Sequence, residues 1–120
     1  MDKKILLVDD AAFMRMMIKD ALTKNGYTNI IEAADGEIAC NTYASEKPDL
    51  VIMDITMPNK TGIEALRDIK AMDPSAKVVM CSAMGQESMV VEAIKLGALD
   101  FIVKPFKPDR ILQTVQKVLG

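Results

Sequence analysis

Four short apolar runs each end at polar residues, and the types of those residues describe one kind of chemistry. Asp9 and Asp10 follow Ile5-Leu6-Leu7-Val8, and Asp54 follows Leu50-Val51-Ile52-Met53. Ser82 follows Val78-Val79-Met80-Cys81, while Lys104 follows Phe101-Ile102-Val103 and precedes Pro105. Three carboxylates, a hydroxyl and an ammonium gathered at one edge would make a cation-assisted site for phosphoryl chemistry. Three ionised carboxylates at close range repel and push at least one pKa upward. Lys104 offsets one charge, and a divalent cation would complete the neutralisation. Carboxylate and water oxygens select a hard ion, and Mg²⁺ suits a site with few protein ligands because it retains several waters.

Taken singly, each residue has a plainer reading. Asp9-Asp10 could cap a helix, Ser82 could be an ordinary loop serine, and Lys104 a solvated surface lysine. An adjacent acidic pair is more than a cap needs, and Asp54 adds a second reason. A carboxylate beside a bound cation can attack phosphorus and form an acyl phosphate. Such transfer asks the protein chiefly for in-line positioning and charge neutralisation. Mg²⁺ would hold one phosphoryl oxygen, the Lys104 ammonium a second and the Ser82 hydroxyl a third. A cis Lys104-Pro105 bond, cheap for proline, could turn the lysine back across the edge, although trans is the commoner isomer.

These side chains meet only if the apolar runs are strands of one sheet. Uniformly apolar runs read as strands buried on both faces of a parallel sheet, and ligands gather outside the carboxyl ends of such strands. Strands are expected at about 4–8, 28–33, 49–53, 77–81 and 99–103. The second, which contains Glu32, suits a sheet edge. Helices are expected over about 12–25, 37–46, 61–72, 86–96 and from Pro108 onward. Met14, Met17, Ile18 and Ala21 form the stripe of the first helix, and Asn25-Gly26 stops it. Asp35-Gly36 opens the second helix and Pro48 ends it. Ile63, Leu66 and Ile69 mark the third helix, which breaks at Asp73-Pro74. Val90, Ala93 and Ile94 give the fourth its core face, with Gly97 as the stop. Ile111, Val115 and Val118 face the core from the fifth, where Pro108 is a good first-turn residue. Strict alternation of strand and helix predicts a doubly wound α/β sheet with right-handed crossovers.

Composition narrows the function classes. The 120 residues fit one domain over 1–120, with a formal charge of −2 and half the residues hydrophobic. No basic run exceeds Lys3-Lys4, so there is no nucleic-acid footprint. Histidine is absent, which removes His-based acid–base catalysis, His metal ligands and phosphohistidine on this chain. Cys40 and Cys81 form no CxxC and read as small buried hydrophobes, consistent with a reducing cytoplasm. No signal peptide or membrane span is expected.

The segments Val8-Asp9-Asp10, Met53-Asp54-Ile55-Thr56-Met57-Pro58, Ser82-Ala83 and Lys104-Pro105-Phe106 together resemble the receiver domain of bacterial two-component response regulators. The resemblance spans essentially the whole chain. The stretch Asp9-Asp10-Ala11-Ala12-Phe13-Met14-Arg15, and the expectation of no output domain, are most similar to the single-domain chemotaxis branch. The resemblance implies the flavodoxin-like strand order 2-1-3-4-5, which would set the two all-apolar strands 1 and 3 side by side. It implies that Asp54 accepts a phosphoryl group from the phosphohistidine of a histidine kinase. Mg²⁺ would be held by Asp9, Asp10, Asp54 and the Thr56 backbone carbonyl. Ser82 would be a switch hydroxyl, standing where many members carry Thr. Phe101 would be the switch aromatic, standing where many chemotaxis members carry Tyr; a Phe that stays fixed at the edge of the core is the alternative.

The same resemblance makes the chain a monomeric signalling protein rather than an enzyme, with intrinsic self-phosphorylation and slow self-dephosphorylation. Met89, Glu92 and Leu96 fall on one outer stripe of the fourth helix and, with Phe101, would form the output surface for a flagellar motor switch protein. The first helix, with Phe13, Met14, Met16, Met17 and Ile18, has apolar width beyond one core face and is a second candidate docking surface, for the kinase or a partner phosphatase. A single-domain receiver in a phosphorelay, such as one controlling sporulation, would share the same rim. A phosphatase resembling haloacid dehalogenases fits less well: its nucleophile motif places two Asp one residue apart, whereas Asp54-Ile55-Thr56 stands here. A flavodoxin relative fits least, since no Ser/Thr/Gly-rich phosphate loop follows the first strand.

Thr56 and Met84 would flank the path of water toward an acyl phosphate on Asp54. Met84 is bulky and apolar, so it obstructs water without orienting it. Met84→Glu should therefore shorten the lifetime of the phosphorylated protein, measured as decay of radiolabelled phosphate; an unchanged lifetime would count against this role.

Overall fold

The computed structural model describes residues 3–83 and 85–120. Strands β1 (Ile5–Val8), β2 (Ile30–Ala33), β3 (Leu50–Asp54), β4 (Val78–Ala83) and β5 (Asp100–Lys104) alternate with helices α1 (Ala12–Thr23), α2 (Gly36–Glu46), α3 (Gly62–Met72), α4 (Glu87–Lys95) and α5 (Pro108–Leu119). All pairings are parallel, in the order β2-β1-β3-β4-β5. The expected fold and strand order both hold. No helix among the described residues is long and apolar enough to cross a membrane.

Successive strand side chains point to opposite faces, and the central strands serve two cores in that way. Leu6, Val8, Val51, Met53, Val78 and Met80 point to one face, where Ala39, Tyr43, Leu66, Ile69 and Ala93 from α2, α3 and α4 cover them. Ile5, Leu7, Leu50, Ile52, Val79 and Cys81 point to the other, beneath Ile18 and Leu22 of α1 and Ile111 and Val115 of α5. Burying each such aliphatic side chain contributes about 1.5–3 kcal/mol, which explains why these runs carry no polar residue before their last positions. Cys40 and Cys81 are buried free thiols within these cores.

The edges follow different rules. Glu32 of β2 faces solvent and is paired with Arg15 at 2.9 Å and Lys19 at 3.6 Å from α1. On β5 only Ile102 is fully buried, whereas Phe101 and Val103 are 36% and 41% exposed. The uniform burial expected of this run is thus confined to alternate residues, because α4 leaves one face of the edge strand uncovered. Ile94, expected on the core face of α4, is 45% exposed for the same reason, and Ala93 is the residue that enters the core.

Strand ends differ from expectation in a way that matters for the site. Asp54, Ser82 and Lys104 belong to the strands, since Asp54 pairs with Cys81, Ser82 with Val103 and Ala83 with Lys104. The ladder therefore fixes their backbones, where a loop would leave them free. At the other end of α1, the helix stops at Thr23, and the Asn25 side-chain amide donates to the Ala21 carbonyl at 2.9 Å.

The β3–α3 connection is held from both sides. Thr61 and Glu64 form a reciprocal capping box at the start of α3, with bonds of 3.2 and 2.9 Å. Gly62 then donates its N–H to the Ile55 carbonyl at 2.8 Å. A Cβ on Gly62 would overlap the Asp54 carbonyl oxygen and stand 2.9 Å from Ile55 Cα. Gly62→Ala should cost about 1–3 kcal/mol through this overlap with fixed backbone, and Thr61→Ala about 1 kcal/mol through the lost cap. Urea unfolding would check both, and a Gly62→Ala variant as stable as wild type would refute the close packing.

Candidate functional site

β1 and β3 are neighbours in register, with Val8 beside Met53. That pairing carries Asp9 and Asp10, just past β1, next to Asp54 at the end of β3. Carboxylate oxygens of the three lie within 4.8 Å of one another. Asp9 and Asp54 are 4% and 8% exposed, and Asp10 is solvent-exposed. Asp9 does not cap α1, whose N-cap is Ala11 with no side-chain cap bond; its Oδ1 accepts from the Ala11 N–H at 2.9 Å, which orients the carboxylate. Arg15 donates to the Asp9 carbonyl oxygen and ties the β1–α1 turn to Glu32.

Lys104 completes the cluster from the far side of the sheet. Its Nζ lies 3.1 Å from Asp9 Oδ2 and 3.2 Å from Asp54 Oδ2. The Lys104-Pro105 peptide bond is cis. Burial, reinforced by the nearby Asp9 charge, pushes the Asp54 carboxyl above the usual carboxylate range against the pull of Lys104. Burial also works against the Lys104 ammonium, but its hydrogen bond to Asp9 and the charges of Asp54 and Asp9 prevail, so it titrates above the ordinary lysine value. Three acids against one lysine leave about two negative charges at the rim by formal count. Opposite ligands of an octahedral Mg²⁺ stand about 4.2 Å apart and adjacent ones about 3 Å, so three oxygens within 4.8 Å of one another would hold such a cation once drawn inward.

Ser82 lies at the same carboxyl edge, 1% exposed, at the end of β4. Thr56 is exposed on the segment after β3, and its hydroxyl accepts from Gln86 Nε2 at 2.7 Å. Met84, expected to flank the site, lies outside the described residues. Neighbouring Cys81 is inert, its thiol pushed up to about 12 by burial.

The expected output residues meet different surroundings. Met89 is 43% exposed, and Glu92 pairs with Arg67 of α3 at 3.4 Å. Leu96 lies past the last turn of α4 and packs, half-buried, against the core under α2 and α3. The apolar surface actually offered is a groove of about 740 Å³ between α4 and β5, lined by Val90, Val91, Ile94, Phe101 and Val103. Phe101 lines this groove, and so do Val91, Ile94 and Val103, whose runs read as core. On α1, Phe13 and Met16 are 65% and 58% exposed, while Ile18 is buried and Met14 packs against the core. Gln86 and Gly62 were also missed, since a lone Gln or Gly carries no signal until the strand ends are placed side by side.

The sequence matches the family of the response regulator receiver domain over residues 5–116. Chemotaxis protein CheY of Bacillus subtilis is 58% identical over 120 residues, covering all of both chains. Chemotaxis protein CheY of Thermotoga maritima is 57% identical over 118 residues, covering 98% of each. The crystal structure of the receiver domain of NtrX from Brucella abortus matches with a TM-score of 0.91 at 35% identity, covering 97% of this chain and 98% of that one.

The raised Asp54 pKa means that the folded chain holds this proton more tightly than the unfolded chain does. Its charge therefore costs stability above the folded pKa, and the cost disappears below the unfolded value of about 3.9. Asp54→Asn should raise the melting temperature of the metal-free protein at neutral pH, with the gain fading as the pH falls toward 4. A gain independent of pH would rule out this origin.

Proposed function

Because the chain belongs to the response regulator receiver family, we propose that it is a phosphorylation-activated chemotaxis switch whose phosphoacceptor is Asp54. The observation that carries the reading is the double contact of Lys104 with Asp9 and Asp54, within a cluster of three carboxylates at one sheet edge. A carboxylate oxygen of Asp54 forms the new bond to phosphorus as the P–N bond of a kinase phosphohistidine breaks, and the electron pair leaves with the donor imidazole. Lys104 neutralises charge on the entering group, and Ser82 offers a hydroxyl at the same edge. Asp9, Asp10, Asp54 and the Thr56 backbone carbonyl would hold Mg²⁺, which would offset the charge that three carboxylates and a phosphoryl group bring together.

Residues 1–120 act as one receiver domain in the cytoplasm. Thr56 and Met84 tune the lifetime of the acyl phosphate, and a partner phosphatase shortens it. The groove between α4 and β5, lined in part by Phe101, is the surface that a flagellar motor switch protein would read. The likeness of the whole chain to chemotaxis proteins supports this partner over a phosphorelay.

Treatment with acetyl phosphate and Mg²⁺ should add the mass of one phosphoryl group to the wild type and none to Asp54→Asn. The two proteins then serve as baits in a cell extract. Flagellar switch components should follow only the phosphorylated bait. Recovery of a histidine phosphotransfer protein without any motor component would assign the chain to a phosphorelay instead.

A further inference from the structure

Gln86 stands at the N-cap of α4 but does not cap that helix with its side chain. Its carboxamide is spent elsewhere. Oε1 accepts from the Ala83 N–H at 2.7 Å, and Nε2 donates to Thr56 Oγ1 at 2.7 Å. The orientation is fixed chemically, because only the carboxamide oxygen can accept from a backbone N–H. One side chain thus joins the segment after β3 to the end of β4, across the rim that carries Asp54.

The Ala83 N–H lies two residues past Cys81, the register partner of Asp54, or roughly 6–7 Å further along the strand direction. A phosphoryl group on Asp54 extends beyond the carboxylate and brings three acceptor oxygens with about two negative charges. An anionic oxygen holds an N–H about twice as strongly as a neutral carboxamide oxygen does. The Ala83 N–H is therefore a donor that the unphosphorylated protein commits to Gln86 and that the phosphorylated protein has reason to reclaim.

We propose that Gln86 is a positioning residue that latches Thr56 to Ala83 in the unphosphorylated protein, and that a phosphoryl group on Asp54 displaces its oxygen from the Ala83 N–H. This rests on Asp54 being the phosphoacceptor. Gln86 also lines the groove between α4 and β5, and its Nε2 lies 3.9 Å from Met89 Sδ. The latch stands between the site of chemistry and the surface a partner would read.

Amide exchange followed by NMR tests the latch without any phosphorylation. Ala83 is solvent-exposed, so a hydrogen bond is what protects its N–H. In Gln86→Ala the Ala83 amide should exchange about threefold faster or more, with core amides such as that of Ile52 unchanged. Gln86→Glu keeps oxygens that accept from both the Ala83 N–H and the Thr56 hydroxyl, so it should retain the protection. The rate of self-phosphorylation from acetyl phosphate should rise by a similar factor in Gln86→Ala. Unchanged Ala83 exchange in Gln86→Ala, equal loss of protection in both variants, or phosphorylation no faster than wild type would each overturn the latch. If the wild type takes up no phosphoryl group, the phosphoacceptor assignment fails, and the exchange comparison still decides whether Gln86 holds Ala83.

Discussion

A single ammonium group lies within 3.2 Å of two carboxylates held at the ends of neighbouring strands. Without Lys104, burial would set Asp9 and Asp54 against each other with nothing to offset their charge. The contact depends on three separate pairings: β1 with β3 brings the acids together, β3 with β4 extends the ladder, and β4 with β5 carries the lysine to the same edge. The site is in this sense a property of the sheet's register. A slip of one residue in any pairing would turn these side chains to the other face.

The register is secured by the two cores and not by the site. Alternate residues of β1, β3 and β4 enter opposite clusters, so the β1–β3 and β3–β4 pairings are checked by burial on both faces. The site itself works against stability, since it buries most of Asp54 beside another acid. The surrounding chain answers with local devices. The capping box of Thr61 and Glu64 holds the start of α3, and Gly62 lets that helix approach the Asp54 carbonyl too closely for any other residue. Arg15 holds the turn that carries Asp9 and Asp10.

The open side of β5 gives the molecule an accessible apolar groove. A parallel sheet is normally covered on both faces, yet α4 leaves Phe101 and Val103 accessible and exposes its own Ile94. The resulting groove begins beside Ser82 and Ala83, at the rim. The chemistry proposed at Asp54 and the recognition proposed along α4 and β5 would therefore be neighbours, with Gln86 between them.

Much of this was legible in the residues alone. Apolar runs ending at Asp9-Asp10, Asp54, Ser82 and Lys104 marked four of the strands and, with the helical stripes between them, the fold class; in β1, β3 and β4 burial on both faces admits no polar residue earlier in the run. The strand order came with the family resemblance, since alternation alone does not say which strands are neighbours. Tertiary structure decided three other matters. Whether an apolar residue is core or surface depends on what covers it, so Ile94 and Val103 read as core while lining an open groove, and Leu96 read as surface while packing inward. The hold of Gln86 on Thr56 spans 30 positions of sequence, and nothing local marks it. The need for glycine at position 62 arises only from the Asp54 carbonyl packed against it. Periodicity reports the environment of one segment, whereas these three features are distances between segments, which exist only after the chain has folded.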